Sequence, residues 1–300
     1  MKYVMILLCC LLIGSCTSQK SETLVIGLIK PSMNHLPVQY ALQQIPGDHS
    51  EWNFQYFHSG WETNEALVAG RIDLAIMPFT YAWMDVSQNK EVKIISFLER
   101  ESDGIIARKP INSREDLQSV RLGVLKNSTL EIIPEMVFIK QKLTLPVMIP
   151  FRTPMDMAAA LQAGEVDAIS YYVPSIFNLP SQFEIIDWYS NTFPSHPCCD
   201  LVVSQTALKS KATLVQNFLK DIDKAVVMMR RNYTKNLEIA QKNYGLNEST
   251  ASLSLQHTKY ITGLEDTGKD FEMQAAEIML AKGYLARKVT KDEVYHQIIP

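Results

Sequence analysis

Amide, hydroxyl, aromatic and acidic side chains recur directly after apolar runs in this 300-residue chain, at Asn34-His35, Ser59, Thr80-Tyr81, Ser128-Thr129, Tyr171-Tyr172 and Cys199-Asp200. Such a set offers hydrogen-bond donors and acceptors, flat rings and one carboxylate. That chemistry suits a small, flat, polar heterocycle better than a bare anion. No arginine is obviously placed among these residues, and a sulfonate or phosphate binder would be expected to supply one. Asp200 is expected to meet an amino group on the ligand and Tyr171 to stack on it. Lys126-Asn127-Ser128-Thr129 could receive an oxygen-rich ligand on free backbone N–H groups, although plain capping by Ser128 or Thr129 explains the same residues. His35 could equally be a solvent-facing loop histidine.

A second kind of chemistry is offered by His196, Cys198, Cys199 and Asp200. The donor types match soft or borderline metals, but four donors crowded into one extended, proline-bound segment cannot easily wrap one ion. No Ser-His-Asp order, phosphate-cradling glycine loop or His-x-x-x-His pair appears after residue 16. The expectation is therefore binding without catalysis, and without a cofactor or a metal.

The elements that must position these residues are organised around a repeat. Ala66-Leu67-Val68-Ala69-Gly70-Arg71-Ile72-Asp73-Leu74-Ala75-Ile76 returns as Ala160-Leu161-Gln162-Ala163-Gly164-Glu165-Val166-Asp167-Ala168-Ile169. Each copy reads as an amphipathic helix ending on a left-handed glycine, an acidic turn residue and a short buried strand. Thr63 or Asn64 is expected to cap the first helix, and Thr153 before Pro154 the second. Each strand is expected to empty into a loop, at Met77 to Tyr81 and at Tyr171 to Pro174. In open α/β sheets, ligands bind at such strand ends. Two copies imply two similar lobes, as does the length of the chain.

Other strands are expected at 23–29, 52–57, 92–98, 104–108, 121–125, 147–150, 183–187 and 201–204. The polar 99–104 and proline-rich 192–200 segments read as the paired breaks between lobes. From Ala207 the pattern is helical: Leu214, Phe218, Ile222, Ala225 and Met229 mark one long amphipathic helix, and further helices fill 236–244, 249–263, 271–282 and 291–299.

Composition excludes some partners. A net charge of −3 with no basic stripe argues against nucleic acid, and the 47% hydrophobic and 20% charged fractions are ordinary globular values. Residues 1–16 read as an export signal: Lys2, an apolar run from Val4 to Ile13, and small residues before Cys16. Residues 17–22 read as a tether, and no later stretch has the apolar length of a membrane span. A bridge between the neighbours Cys198 and Cys199 would be strained.

Ile13-Gly14-Ser15-Cys16 resembles a bacterial lipobox, which implies that Cys16 is lipidated. The order of the whole chain resembles the exported solute-binding proteins of bacterial ABC transporters, in the group that includes the sulfonate, nitrate and thiamine-precursor binders. The resemblance is carried by Val25 to Pro37, the Ala-Leu-x-Ala-Gly-x-Ile-Asp unit at 66–73, Ile105-Ile106-Ala107-Arg108 with Asp116-Leu117, the Gly-x-Val-Asp unit at 164–167, and the return at Leu201 to Ala225. It implies an α/β fold of two lobes of the type II periplasmic-binding-protein kind, with a ligand cleft between them and a helical C-terminal part. It also implies a small-molecule solute, an ABC permease as partner, a lipid anchor to a bacterial membrane on the periplasmic or cell-surface side, and a monomer. Lobe one would comprise 23–104 with 199–300, and lobe two 105–198. Met33-Asn34-His35-Leu36-Pro37 looks most like the first loop of the thiamine-pyrimidine subgroup, which also holds a pyrimidine synthase. That enzyme carries a histidine matching His35 and a cluster of cysteines where this chain has only Cys198 and Cys199. The alternative that it implies is a synthase-like enzyme or a metal-binding protein using His35 and the His196/Cys198/Cys199 segment.

Overall fold

The computed structural model describes residues 23–298. The expected export signal at 1–16 with its Cys16 and the expected tether at 17–22 lie outside the described residues. The first apolar run forms β1 (Leu24–Ile29), buried along nearly its whole length as a central strand must be, and α1 (Leu36–Gln44) follows with Pro37 in its first turn, where a missing N–H costs nothing. After β2 (Trp52–Phe57) the extended Ser59 caps α2 (Gly60–Val68), its hydroxyl accepting from Glu62 N at 3.2 Å. Thr63 and Asn64 therefore lie inside the helix and do not cap it. β3 (Leu74–Pro78) passes directly into α3 (Phe79–Ser87), so the loop expected at Thr80 and Tyr81 is a helical first turn.

β4 (Val92–Arg100) runs through Glu99, past the polar break that the sequence suggests, and β5 (Asp103–Arg108) starts at once on the other side. The second half continues with β6 (Arg121–Leu125), α4 (Thr129–Gln141), β7 (Val147–Phe151), α5 (Pro154–Ala163), β8 (Ala168–Tyr172) and β9 (Phe183–Trp188). Thr153 caps α5 with Pro154 at its first position, as the sequence predicts. The return strand β10 (Pro197–Ser204) already contains the cysteines, which the sequence reading places in a connector.

The remaining chain is α6 (Gln205–Ser210), α7 (Ala212–Met229), α8 (Tyr233–Tyr244), α9 (Glu248–Gln256), β11 (Lys259–Tyr260), α10 (Asp266–Ala281) and α11 (Lys291–Val294). α7 buries Phe218, Ile222, Ala225 and Met229 as the periodicity requires. Two helical expectations fail: 257–263 leaves the helix to add β11 to a sheet edge, and the last helix stops at Val294. No helix among the described residues is long and apolar enough to cross a membrane.

The strands form two sheets, in the orders β11-β4-β10-β3-β1-β2 and β7-β6-β8-β5-β9. Apart from the edge strand β11 the plans coincide. β1 lies between β2 and β3 as β6 lies between β7 and β8, all parallel, and the one strand that arrives from the other sheet, β10 or β5, runs antiparallel to both its neighbours. The repeat occupies equivalent places in the two plans, as α2-β3 and α5-β8. Gly70 and Gly164 take positive φ of 68° and 83°. The two acidic turn residues do the same work. Asp73 Oδ2 accepts from Val25 N at 2.8 Å, and Asp167 Oδ2 accepts from Arg121 N at 3.0 Å, so each ties down the amino end of the neighbouring strand.

The two crossings, at 101–102 and 195–196, each hold a non-glycine residue in the left-handed region, Glu101 (φ 63°) and Ser195 (φ 62°). Such a conformation persists only when its surroundings fix it. Here Ser195 N donates to Glu101 Oε1, and Lys259 pairs with Glu101 at 2.8 Å. Beyond the crossings the lobes touch again: Lys282 Nζ lies 2.8 Å from Glu135, Tyr284 donates to Glu131 at 2.6 Å, and His257 stacks on Trp188 at 3.8 Å. Apolar packing on one face of the first sheet runs into one face of the second.

Candidate functional site

The carboxyl ends of β1, β3, β6 and β8 face one another across the gap between the sheets, and the crossings close its floor. The cavity left there keeps about 50 Å³ open to the centre of a water molecule. It is small. Asn34, Ser59, Glu99, Cys198 and Cys199 line it from lobe one, and Ser102, Ser128, Thr129 and Tyr172 from lobe two.

Asn34 follows β1 and is wholly buried; its Nδ2 reaches Ile76 O at 3.5 Å and its Oδ1 holds His35 Nδ1 at 3.0 Å. Ser59 and Ser128 stand at the cavity because they cap α2 and α4, so two helix N-termini point at the space. This places partial positive charge and backbone donors at the wall. The Ser128 hydroxyl is already engaged, donating to Leu125 O at 2.8 Å and accepting from Leu130 N at 3.1 Å. Thr129 Oγ1 lies 3.5 Å from Cys198 Sγ, a contact that crosses between lobes. The Tyr172 hydroxyl is buried with no partner in hydrogen-bonding geometry, and burial pushes its pKa above the ordinary tyrosine value.

Glu99 is the residue that sequence reasoning missed. It is the next-to-last residue of β4, pairs across the ladder with Cys199 and is 2% exposed. Burial pushes its carboxyl up to about 7, only partly offset by the neighbouring Ser102 and Cys199. Both thiols are held neutral. Burial is the main cause at Cys199; at Cys198 the Cys199 contact pulls downward, but burial and the charges of Asp103 and Glu99 outweigh it and push the thiol up to about 11. One donor atom each from Glu99, Cys198 and Cys199 lies within 4.8 Å of the others, the single such group of metal-ligating side chains among the described residues.

Five residues expected at the site are near it but outside the cavity wall. His35 is 1% exposed and packs its ring 5.2 Å from Tyr244, off the cavity wall; burial, with a contribution from Lys30, drives its pKa down to about 3, so the ring is neutral. Thr80 and Tyr81 are carried into the first turn of α3, and Tyr81 donates to Lys126 O at 3.4 Å across the lobes. Tyr171 packs in the apolar cluster of lobe two with its ring 5.2 Å from that of Tyr172 and donates to Pro154 O at 3.2 Å; of the two, Tyr172 at the strand end lines the cavity. Asp200 is wholly buried behind the sheet, where burial and the facing Glu272 carboxyl raise its pKa well above the ordinary value. It cannot serve as the acidic contact to a ligand amino group. His196 also turns from the cavity, its Nε2 2.7 Å from Asp103 Oδ1 and its Nδ1 2.9 Å from Phe193 O.

No family model matches the sequence, and no curated protein sequence matches it. Solved structures do. The periplasmic aliphatic sulphonate binding protein SsuA from Escherichia coli is 18% identical, with 93% of this chain and 94% of that chain covered at a TM-score of 0.75. The alkanesulfonate-binding protein SsuA from Xanthomonas axonopodis pv. citri, bound to MOPS, is 17% identical over 91% and 98% of the two chains, TM-score 0.77. The ligand binding component of an ABC-type import system from Staphylococcus aureus, with zinc bound, is 16% identical over 92% and 97%, TM-score 0.79. The chain has the α/β, two-lobe fold of these binding proteins.

Proposed function

We propose that this chain is the solute-binding lipoprotein of a bacterial ABC importer, exported and anchored through Cys16, and that it closes two lobes over one small polar solute. The observation that carries the reading is the cavity itself, walled by strand ends and two helix N-termini from two lobes that paired crossings join. Lobes divided at 101–102 and 195–196 can rotate about those crossings, and a ligand that contacts both walls stabilises the closed arrangement. The wall supports a neutral, flat, polar solute. It offers the Asn34 amide, the Tyr172 ring with its unpartnered hydroxyl, and no lysine or arginine. A thiamine-precursor pyrimidine or similar heterocycle fits that wall. The two SsuA proteins are sulfonate binders, but a sulfonate here would be buried with no lysine or arginine in the wall to pair with it. A synthase-like reading would need His35 at the ligand, and His35 lies behind the wall.

The test is a thermal-shift and calorimetric screen of the protein against hydroxymethylpyrimidine, thiamine, taurine, aliphatic sulfonates, nitrate and bicarbonate. A pyrimidine is expected to raise the melting temperature in proportion to its binding. Binding of sulfonates alone would overturn the heterocycle assignment. With the best ligand, Tyr172→Ala is expected to weaken affinity by about 1–3 kcal/mol, the scale of a base stacked on an aromatic face. Unaltered affinity would place the ligand elsewhere. The anchor has its own check: Cys16→Ser is expected to leave a folded protein that washes off membranes, since a lipid needs that thiol. Persistence on salt-washed membranes would refute the lipobox.

A further inference from the structure

Neighbouring residues of a flat strand point to opposite faces, so Cys198 and Cys199 should straddle the first sheet. They do not, because the ladder between β10 and β4 slips register between Pro197 and Cys199 and again between Cys199 and Asp200. Bulges of this kind re-aim side chains and gather beside functional sites. This one turns both thiols into the cleft cavity, where Glu99 already stands opposite Cys199. The three residues are 2%, 5% and 5% exposed, and their donor atoms lie within 4.8 Å of one another.

We propose that Glu99, Cys198 and Cys199 bind one borderline or soft divalent metal ion of the zinc class at the floor of the cleft. Two thiolates favour such an ion over magnesium or calcium, and a carboxylate is a further donor that zinc takes; binding releases the thiol protons to solvent and leaves a site of net charge −1, which does not supply the cation that a sulfonate needs. Metal–sulfur and metal–oxygen bonds of about 2.3 and 2.1 Å put donors in a tetrahedral site roughly 3.6–3.8 Å apart. The set therefore closes on an ion by moving no more than about 1 Å. A fourth position remains on the cavity side, where a nitrogen or oxygen of the solute, or water, completes the shell. The donor set differs from the one that the sequence suggests. His196 spends both ring nitrogens on Asp103 and Phe193, and Asp200 faces away, while Glu99 comes from the opposite strand and supplies the geometry that a single extended segment lacks. The site stands on these residues alone and does not depend on which solute is carried.

Cobalt(II) is the probe, because thiolate ligation gives an intense near-ultraviolet charge-transfer band. The full chain, purified in detergent, reduced and stripped with chelator, is expected to take up one equivalent of cobalt with that band and to lose it on addition of zinc. Cys198→Ser and Cys199→Ser should each diminish the band, and the double variant should abolish it. Glu99→Gln should keep the band while weakening zinc binding at least about tenfold, the loss that even an outer-shell change brings. Circular dichroism and melting curves separate misfolding from ligand loss; if the double variant unfolds, Glu99→Gln and the single serine variants decide. A reduced wild-type chain without the band, a band that survives in the double variant, or zinc affinity unmoved by Glu99→Gln overturns the proposal.

Discussion

Replacing Asp103 by alanine is expected to lower the unfolding free energy by about 3–5 kcal/mol, the cost of stranding one member of a buried ion pair. Asp103 and His196 have fully buried side chains 2.7 Å apart. The first opens β5 on the outward crossing and the second precedes β10 on the return, so their bond ties the two crossings together. Both imidazole nitrogens face acceptors, the Asp103 carboxylate and Phe193 O, which is the pattern of a protonated ring. Burial alone would pull the His196 pKa down, but the charge and hydrogen bond of Asp103 outweigh it and the net shift is upward from 6.5. A histidine raised in the folded state contributes stability in full below its unfolded value and loses it as pH rises through the folded value. The advantage of wild type over Asp103→Ala should therefore be largest below about pH 6.5 and shrink as the solution is made alkaline. Urea titrations across that range measure it. An advantage that stays constant or grows with pH would mean that His196 is not the charged partner.

Most of the fold can be read from the sequence because its signals are local. β1 and β6 are apolar runs of strand length, Thr153-Pro154 is a helix start, and Gly70 and Gly164 end helices in the one conformation that glycine enters freely. The site is less legible, because it depends on pairing between distant segments. Glu99 looks like the start of a polar turn until β10 pairs alongside it and buries it. Cys198 and Cys199 look incapable of acting together until two register slips aim both at the cavity. Thr80 and Tyr81 resemble a loop after a strand, but α3 begins at Phe79 without one. Between Tyr171 and Tyr172 the sequence offers no preference; only the folded end of β8 brings Tyr172, and not Tyr171, to the cavity wall.

Asp200 shows how far such a reversal reaches, since the sequence reading makes it a contact to a ligand amino group, and the structure buries it in the core of lobe one, where it bears on stability. Asp200 and Glu272 are each wholly buried and face one another in the core of lobe one. Glu272 Oε2 accepts from Trp83 Nε1 at 2.9 Å and from the Tyr295 hydroxyl at 2.7 Å. Burial pushes the Glu272 carboxyl up to about 7, only partly offset by the contact with Asp200, by those two bonds and by the charge of Arg100. Asp200, buried and beside that carboxyl, is raised as well. Two facing carboxyls in a dry core cannot both ionise cheaply. A carboxyl raised on folding stabilises fully below its unfolded value, near 4, and loses that contribution as pH rises through its folded value, here about 7 for Glu272 and upward. Asp200→Asn removes one of the two charges and keeps the shape. It is expected to match wild type near pH 4 and to be the more stable at about pH 9, because by then the wild type has lost the contribution of two carboxyls raised on folding and the variant has only one of them to lose. Solute affinity should not change, because the side chain lies outside the cavity wall. Thermal and urea unfolding at the two pH values, with calorimetry of the best solute, measure both halves. A variant less stable than wild type at high pH would sink the carboxyl-pair argument. A loss of affinity on the scale of a charged hydrogen bond, about 1.5–3 kcal/mol, would return Asp200 to the site and move the cleft away from where these strands place it.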